Sequence, residues 1–205
     1  MNHPQKVYAL LGLLAPALFV MTYLLISIGR PEYSHLTKAV SELGSMDVAN
    51  RWVFNLFGYI LPGLMVSLFG YGLFQYLKEN NSNKWPLIGI VGSGLFMALA
   101  GIFPGDFEDR YSTTMILHSI GSVGSYIFFL IGAFTFPRLM NKISYWNNVR
   151  WLGLTITWLS IVCGNWIFIF PEIPGVGQRI GFGMYFFWIG LYAYFLWKSD
   201  SNMKS

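Results

Sequence analysis

Charged side chains are scarce in this chain of 205 residues, of which 11% are charged and 55% hydrophobic. A soluble domain carries about 25% charged residues. The 13 basic and 9 acidic residues present here cannot cover a soluble surface of this size. Disorder is excluded as well, because 19% of the residues are aromatic and disordered segments are poor in aromatics. The composition therefore indicates an integral membrane protein.

Cysteine and clustered basic residues are also lacking. Cys163 is the only cysteine, so an intramolecular disulfide and a cysteine-based zinc site are both excluded. The net charge is +4, but no stretch holds the cluster of Lys and Arg that a nucleic-acid-binding surface needs. We therefore expect no nucleic-acid partner.

Long apolar runs are abundant. A helix needs about 20 apolar residues to cross a membrane, and six segments meet or nearly meet that length. They predict a single all-α domain over residues 1–205, a polytopic bundle of six transmembrane helices. The predicted spans are 7–29, 52–77, 86–103, 113–136, 151–170 and 180–197.

The charges of the connecting loops predict the orientation. One side of the membrane receives eight basic and two acidic residues, and the other receives five basic and seven acidic. Basic residues favour the cytoplasmic side, so we predict a multi-pass protein of the cell membrane with both termini in the cytoplasm. The residues assigned to the cytoplasm are Lys6, Lys78, Glu79, Lys84, Arg138, Lys142, Arg150, Lys198, Asp200 and Lys204.

The first outer loop, residues 30–51, is the longest. Leu36, Val40 and Leu43 recur there at helical spacing and predict a short helix, either interfacial or capping the bundle. Ser45 with Asp47 then predicts a cap for the second span.

A turn signature suggests an internal repeat. An apolar helix end is followed by Pro104 and Asp106 before the fourth span, and by Pro171 and Glu172 before the sixth. The pattern is consistent with three parallel helical hairpins. The alternative is that Phe-Pro followed by a polar residue is an ordinary way for a membrane helix to end.

His118 is the one ionisable side chain clearly within a span, and such residues are functional candidates by default. It lies roughly 7–8 Å from the outer end of the fourth helix. Gly121, Ser122 and Ser125 follow on the same face. Two interpretations stay open: a functional centre, or a hydrogen bond that locks helix packing.

Several polar residues reach a similar depth and predict a cavity that opens outward. Asp106 or Glu42 would orient His118 for acid–base work. The alternatives are a solvated turn and scattered contacts between helices. The candidate binding residues are Asn55, His118, Asn165, Tyr185, His35 and Glu172.

Known chemistries fit the sequence poorly, so whether the protein is an enzyme is left open. Haem ligated by two histidines needs a second intramembrane histidine. His118, His35, Asp106 and Glu42 could form a metal site, but no ligand spacing such as His-Glu-x-x-His supports it. We expect no cofactor and no metal. An intramembrane serine protease would need a serine nucleophile next to a histidine base. Ser93 lies ~7 Å deeper than His118, which is too far for such a pair.

The segment Ser41-Glu42-Leu43-Gly44, followed by Asn55, Asp106 and His118, resembles an uncharacterised prokaryotic membrane family, domain of unknown function 998. The resemblance covers about residues 7–197. The family is more distantly similar to DRAM-type and GPI-remodelling membrane proteins. The resemblance implies a six-span bundle with an outward polar cluster and supplies no reaction.

Together these observations favour binding of a lipid or other amphiphile at the outer leaflet, with modification of that ligand left open. Membrane lipids would be its partners, and a homo-oligomer is compatible with the sequence. Two alternatives stay open. One is a small transporter or channel subunit, for which Pro16 and Pro62-Gly63 would break helices near mid-membrane. The other is a structural or sensory membrane protein without chemistry.

Overall fold

Six long helices form the fold of the computed structural model, which describes residues 3–80, 82–141 and 143–199. Lys142, Asp200 and Lys204, which contributed to the predicted orientation, lie outside these residues. All six helices are long and apolar enough to cross a membrane. The all-α prediction with six spans is confirmed. The helices are α1 (His3–Ile28), α2 (Arg51–Leu77), α3 (Trp85–Ile102), α4 (Thr113–Met140), α5 (Ser144–Ile169) and α6 (Pro174–Lys198).

The last two helices begin earlier than predicted. Helix α5 begins at Ser144 with a 3₁₀ turn to Trp146 and continues across the polar residues Asn147 and Asn148. Helix α6 begins at Pro174, because a proline in the first turn lacks only an N–H that would be unpaired there anyway. A prediction that counts apolar residues ends a span at a polar turn, although the helical backbone continues through that turn.

The outward faces of the helices carry large apolar side chains. In water these faces would be a large unburied hydrophobic surface, whereas lipid solvates them. Examples exposed by 59% or more are Met21, Leu25, Ile28, Val123, Trp158 and Val162. The low content of charged residues in the sequence is therefore explained by helix faces that carry apolar side chains toward lipid.

The helices pack in chain order, and α6 closes against α1. One end of the bundle carries the connections 29–50, 103–112 and 170–173, and we call it the loop end. The opposite end, which carries residues 78–80, 82–84, 141 and 143, is the termini end. Inside the bundle, the Ser93 hydroxyl of α3 donates to Tyr185 Oη of α6 at 3.1 Å. This hydrogen bond links α3 to α6.

Helices α2, α3 and α4 approach closely along a glycine seam, comprising Gly63, Gly89, Gly94, Gly121 and Gly132. A Cβ at Gly63 would stand 2.5 Å from the carbonyl oxygen of Gly94, and one at Gly121 would stand 2.5 Å from the Ala100 nitrogen. Only glycine fits such a crossing, which brings backbones into van der Waals contact. Ser67 adds a hydrogen bond across the seam to the Val91 carbonyl at 3.0 Å.

The two prolines expected to break helices do not interrupt them. Helix α1 runs through Pro16 without a break. Before Pro62, α2 contains a π-helical segment, Asn55–Ile60, and Leu61 N–H donates to the Leu56 carbonyl five residues back. A proline removes one backbone donor, and a local π segment accommodates that loss without ending the helix.

The long loop, residues 29–50, folds back on the bundle. It contains a 3₁₀ helix, Val40–Gly44, whose Val40 and Leu43 are buried. Ser45 donates to Asp47 and to the Glu42 carbonyl, and the N-terminus of α2 has no side-chain cap. The predicted cap for the second span is therefore wrong. Turns between Ser45 and Arg51 separate the two side chains from the first amides of α2.

Candidate functional site

His118 lies buried on α4 and contacts the end of α3. Its Nδ1 stands 2.8 Å from the Ala100 carbonyl and 3.0 Å from the Phe103 carbonyl, so Nδ1 carries the hydrogen and donates. In a continuing helix the Ala100 carbonyl would accept from residue 104, but that residue is Pro104 and has no N–H. His118 supplies the missing donor. The Ser122 hydroxyl lies 3.5 Å from Nε2.

The two carboxylates expected to orient His118 bond elsewhere. Asp106 accepts from the Asp109 amide at 3.0 Å. Glu42 accepts from the Ala39 amide at 2.7 Å and forms an ion pair with Lys38 at 3.2 Å. Each carboxylate accepts a hydrogen bond from a backbone amide of its own loop, and neither is hydrogen-bonded to the His118 imidazole.

The remaining predicted residues are dispersed. Asn55 is buried and donates to the Gly44 carbonyl at 2.9 Å, which fastens the long loop to α2. Asn165 donates to the Ile161 carbonyl of its own helix and is exposed. Tyr185 is buried at the bundle centre and Glu172 is exposed. The structure therefore does not bring these four residues together around His118.

His35 belongs to a different group, which we call the Arg179 cluster: Tyr23, Tyr33, His35 and Arg179. Arg179 Nε donates to Tyr23 Oη at 2.8 Å, and Tyr23 Oη is hydrogen-bonded to His35 Nδ1 at 2.5 Å. Arg179 Nη2 donates to Tyr33 Oη at 2.5 Å. The guanidinium also faces both tyrosine rings, at 5.6 and 5.3 Å from their centroids. The cluster joins α1, the long loop and α6.

A groove between α1 and α6 extends from the Arg179 cluster toward the termini end. Its volume is about 660 Å³. Phe19, Phe182 and Phe186 form an aromatic floor, with the Phe19 ring centroid 4.9 Å from that of Phe182 and 4.6 Å from that of Phe186. Among the described lining residues, Arg179 alone is charged. The groove is thus apolar along its length and cationic at one end.

A second, smaller cavity of about 220 Å³ lies under the long loop. Its lining carries both signs of charge, and Arg30–Glu32 and Lys38–Glu42 form ion pairs at 2.8 and 3.2 Å. Neither cavity is lined by His118, Asn55 or Asn165.

A family model described as "Protein of unknown function (DUF998)" matches residues 13–194. The chain belongs to this family. No curated protein and no solved structure matched the chain. The DUF998 match overlaps all six helices, and the glycine seam, the Arg179 cluster and the groove all lie within the matched region.

Three of the residues that carry the DUF998 resemblance bind backbone groups at the loop end. His118 holds the end of α3, Asn55 holds Gly44, and Glu42 holds the first turn of the 3₁₀ helix through the Ala39 amide. These contacts fix the long loop and the end of α3 against the bundle, and the groove lies to one side of them.

Two titratable groups of the long loop have pKa values that are shifted by their surroundings. Burial raises the pKa of Tyr33 to about 12, so its phenol stays neutral at physiological pH. The Ser45 hydroxyl, by donating a hydrogen bond, lowers the pKa of the Asp47 carboxyl. In residues 3–80, 82–141 and 143–199, no three His, Cys, Asp or Glu side chains come together as a metal site.

Arg179 and Tyr23 were absent from the candidates drawn from the sequence. Arg179 lies outside the predicted sixth span, residues 180–197, but inside α6 of the structure. The helical signal that could have revealed it is Pro174, which marks the start of α6 and places Arg179 inside that helix.

Proposed function

We propose that this DUF998 protein binds a membrane amphiphile, a lipid, in the groove between α1 and α6. The observation that carries the proposal is the distribution of polarity: about 660 Å³ of apolar groove with a single cationic side chain, Arg179, at one end. An amphiphile has the same distribution, with an apolar chain and a polar head. The volume lies within the range of about 300–1,000 Å³ that is typical of small-molecule sites.

The rim of the groove supports lateral access from the bilayer. Val20, Leu24 and Phe187 line it and are exposed on the outer surface of the bundle, by 47%, 47% and 56%. A lipid beside α1 and α6 would therefore reach the aromatic floor without crossing water. With the predicted orientation, the headgroup would lie at the outer leaflet.

Two glycines of α6 offer a matched test of the proposal. A Cβ at Gly183, which lines the groove, or at Gly181, which does not, would have no atom within 4 Å. Gly183→Phe should therefore fill part of the groove without forcing the helices apart. Gly181→Phe adds the same bulk outside it.

We would purify the wild type and both variants in detergent and measure retained lipid by native mass spectrometry. Gly183→Phe should lose bound lipid, whereas Gly181→Phe should retain it, with similar melting temperatures for all three proteins. Equal lipid retention by the two variants would contradict the proposal.

A further inference from the structure

Arg179 is a cation without an anionic partner in the described part of the chain. The ion pairs there are Arg30–Glu32 and Lys38–Glu42, and Arg179 takes part in neither. Its hydrogen bonds go to the hydroxyls of Tyr23 and Tyr33 and to the carbonyls of Lys38 and Gly175. All four acceptors are uncharged oxygens.

The surroundings orient the guanidinium and leave its charge uncompensated. Both tyrosine rings lie beside it, and four of its five N–H groups are engaged, which leaves one Nη2 hydrogen free for a ligand. Arg179 is partly buried, and burying a charge is costly unless it is paired. An anion at the end of the groove would provide that pairing.

The neighbouring acidic groups do not pair with Arg179. Glu32 and Glu42 form ion pairs with Arg30 and Lys38. Tyr33 is a neutral phenol at neutral pH, and burial raises its pKa further, to about 12. Arg179 therefore places an unpaired positive charge at the end of the apolar groove.

We infer that the amphiphile is an anionic phospholipid whose phosphate lies against Arg179. The inference rests on the proposed function and adds the chemical class of the headgroup. A guanidinium suits this role because it is planar, weakly hydrated and always charged, and it donates to phosphate oxygens along fixed directions. The acyl chain would extend from Arg179 along the aromatic floor toward Tyr194.

The test compares two lipids with identical acyl chains, phosphatidylglycerol and phosphatidylcholine. Each would be titrated into the detergent-solubilised protein and the bound fraction measured by native mass spectrometry. One basic residue near a lipid headgroup is worth about 1 kcal/mol, so we expect an excess of bound phosphatidylglycerol of about fivefold in the wild type.

Three variants locate the source of the preference. Arg179→Gln should bind the two lipids equally, whereas Arg179→Lys, which keeps the charge, should retain the preference. Arg110→Gln removes a cation from an exposed position at the same end of the bundle and should leave the preference unchanged. If Arg179→Gln fails to fold, the wild-type ratio still tests the anionic headgroup, because equal binding of the two lipids would overturn it.

The outcomes separate this inference from the proposed function. Equal binding of both lipids by the wild type would overturn the anionic headgroup and leave the groove as a lipid site. A preference that persists in a folded Arg179→Gln variant, or disappears in Arg110→Gln, would also overturn it. Absence of any retained lipid in the wild type would overturn the proposed function itself.

Discussion

Glycines lie along both the seam of α2, α3 and α4 and the contact between α1 and α6, but their surroundings differ. A Cβ at Gly63 would meet the Gly94 carbonyl at 2.5 Å, whereas one at Gly190 would find only Pro16, at 3.8 Å, and one at Gly183 would find nothing within 4 Å. The first seam uses the missing side chain to bring helices together. On α6 the missing side chains of Gly183 and Gly190 leave space, and the groove lies in that space, whereas Gly12 of α1 packs closely on Ala193 of α6.

The largest effect should come from adding bulk to the glycine seam. Gly94→Leu would drive a side chain into the Gly63 carbonyl and Ser67, so we expect destabilisation by about 3 kcal/mol or more, or failure to fold. Thermal unfolding in detergent would measure it. Gly183→Leu is the matched control and should melt close to the wild type. Similar melting temperatures for the two variants would invalidate the comparison.

An intermediate effect should follow from removing His118. His118→Ala would leave the Ala100 and Phe103 carbonyls without their donor, which should cost about 1–3 kcal/mol of unfolding free energy. His118→Gln, whose amide can still donate, should recover part of the loss. Lipid retention should not change in either variant, because His118 does not line the groove.

The opposite result for His118 would be informative. If His118→Ala kept the wild-type stability and lost bound lipid, the pocket predicted from the sequence would regain support and the groove would lose it. Stability and lipid content must therefore be measured on the same preparation.

The smallest effect should appear at alkaline pH, at the Arg179 end of the groove. The pKa of Tyr33 is raised from 10.0 to about 12 in the folded protein, so the folded state holds this proton more tightly than the unfolded state. Stability from this residue is complete below pH 10 and decreases as the pH rises toward about 12. Tyr33→Phe should remove that part of the decrease. Identical alkaline unfolding profiles for the two proteins would count against it.

The sequence predicts the six helices well because membrane-spanning segments have a strong local signal. It predicts their ends less well. The apolar run predicts a sixth span from residue 180, but α6 begins at Pro174. A count of apolar residues cannot recognise this start, because polar residues in the first turns of α6 find their partners elsewhere in the chain. Arg179 donates to Tyr23, Tyr33 and Lys38.

The candidate site was harder to predict. His118 is the one ionisable side chain clearly within a predicted span, but its partner depends on Pro104 fourteen positions earlier and on the close packing of α3 with α4. The groove depends on a contact between the first and last helices, which no local pattern encodes. In the sequence, the groove is best indicated by the seven-residue spacing of Gly183 and Gly190, which places both glycines on one face of α6.

The closure of α6 against α1 has a consequence for biogenesis. During synthesis α1 emerges first and α6 last, so the ring of helices can close only after the final helix inserts. A nascent chain that ends at residue 173 would already contain the whole glycine seam, but it would have only one wall of the groove and would lack Arg179. The groove, our proposed lipid site, is therefore the last part of the molecule to be assembled.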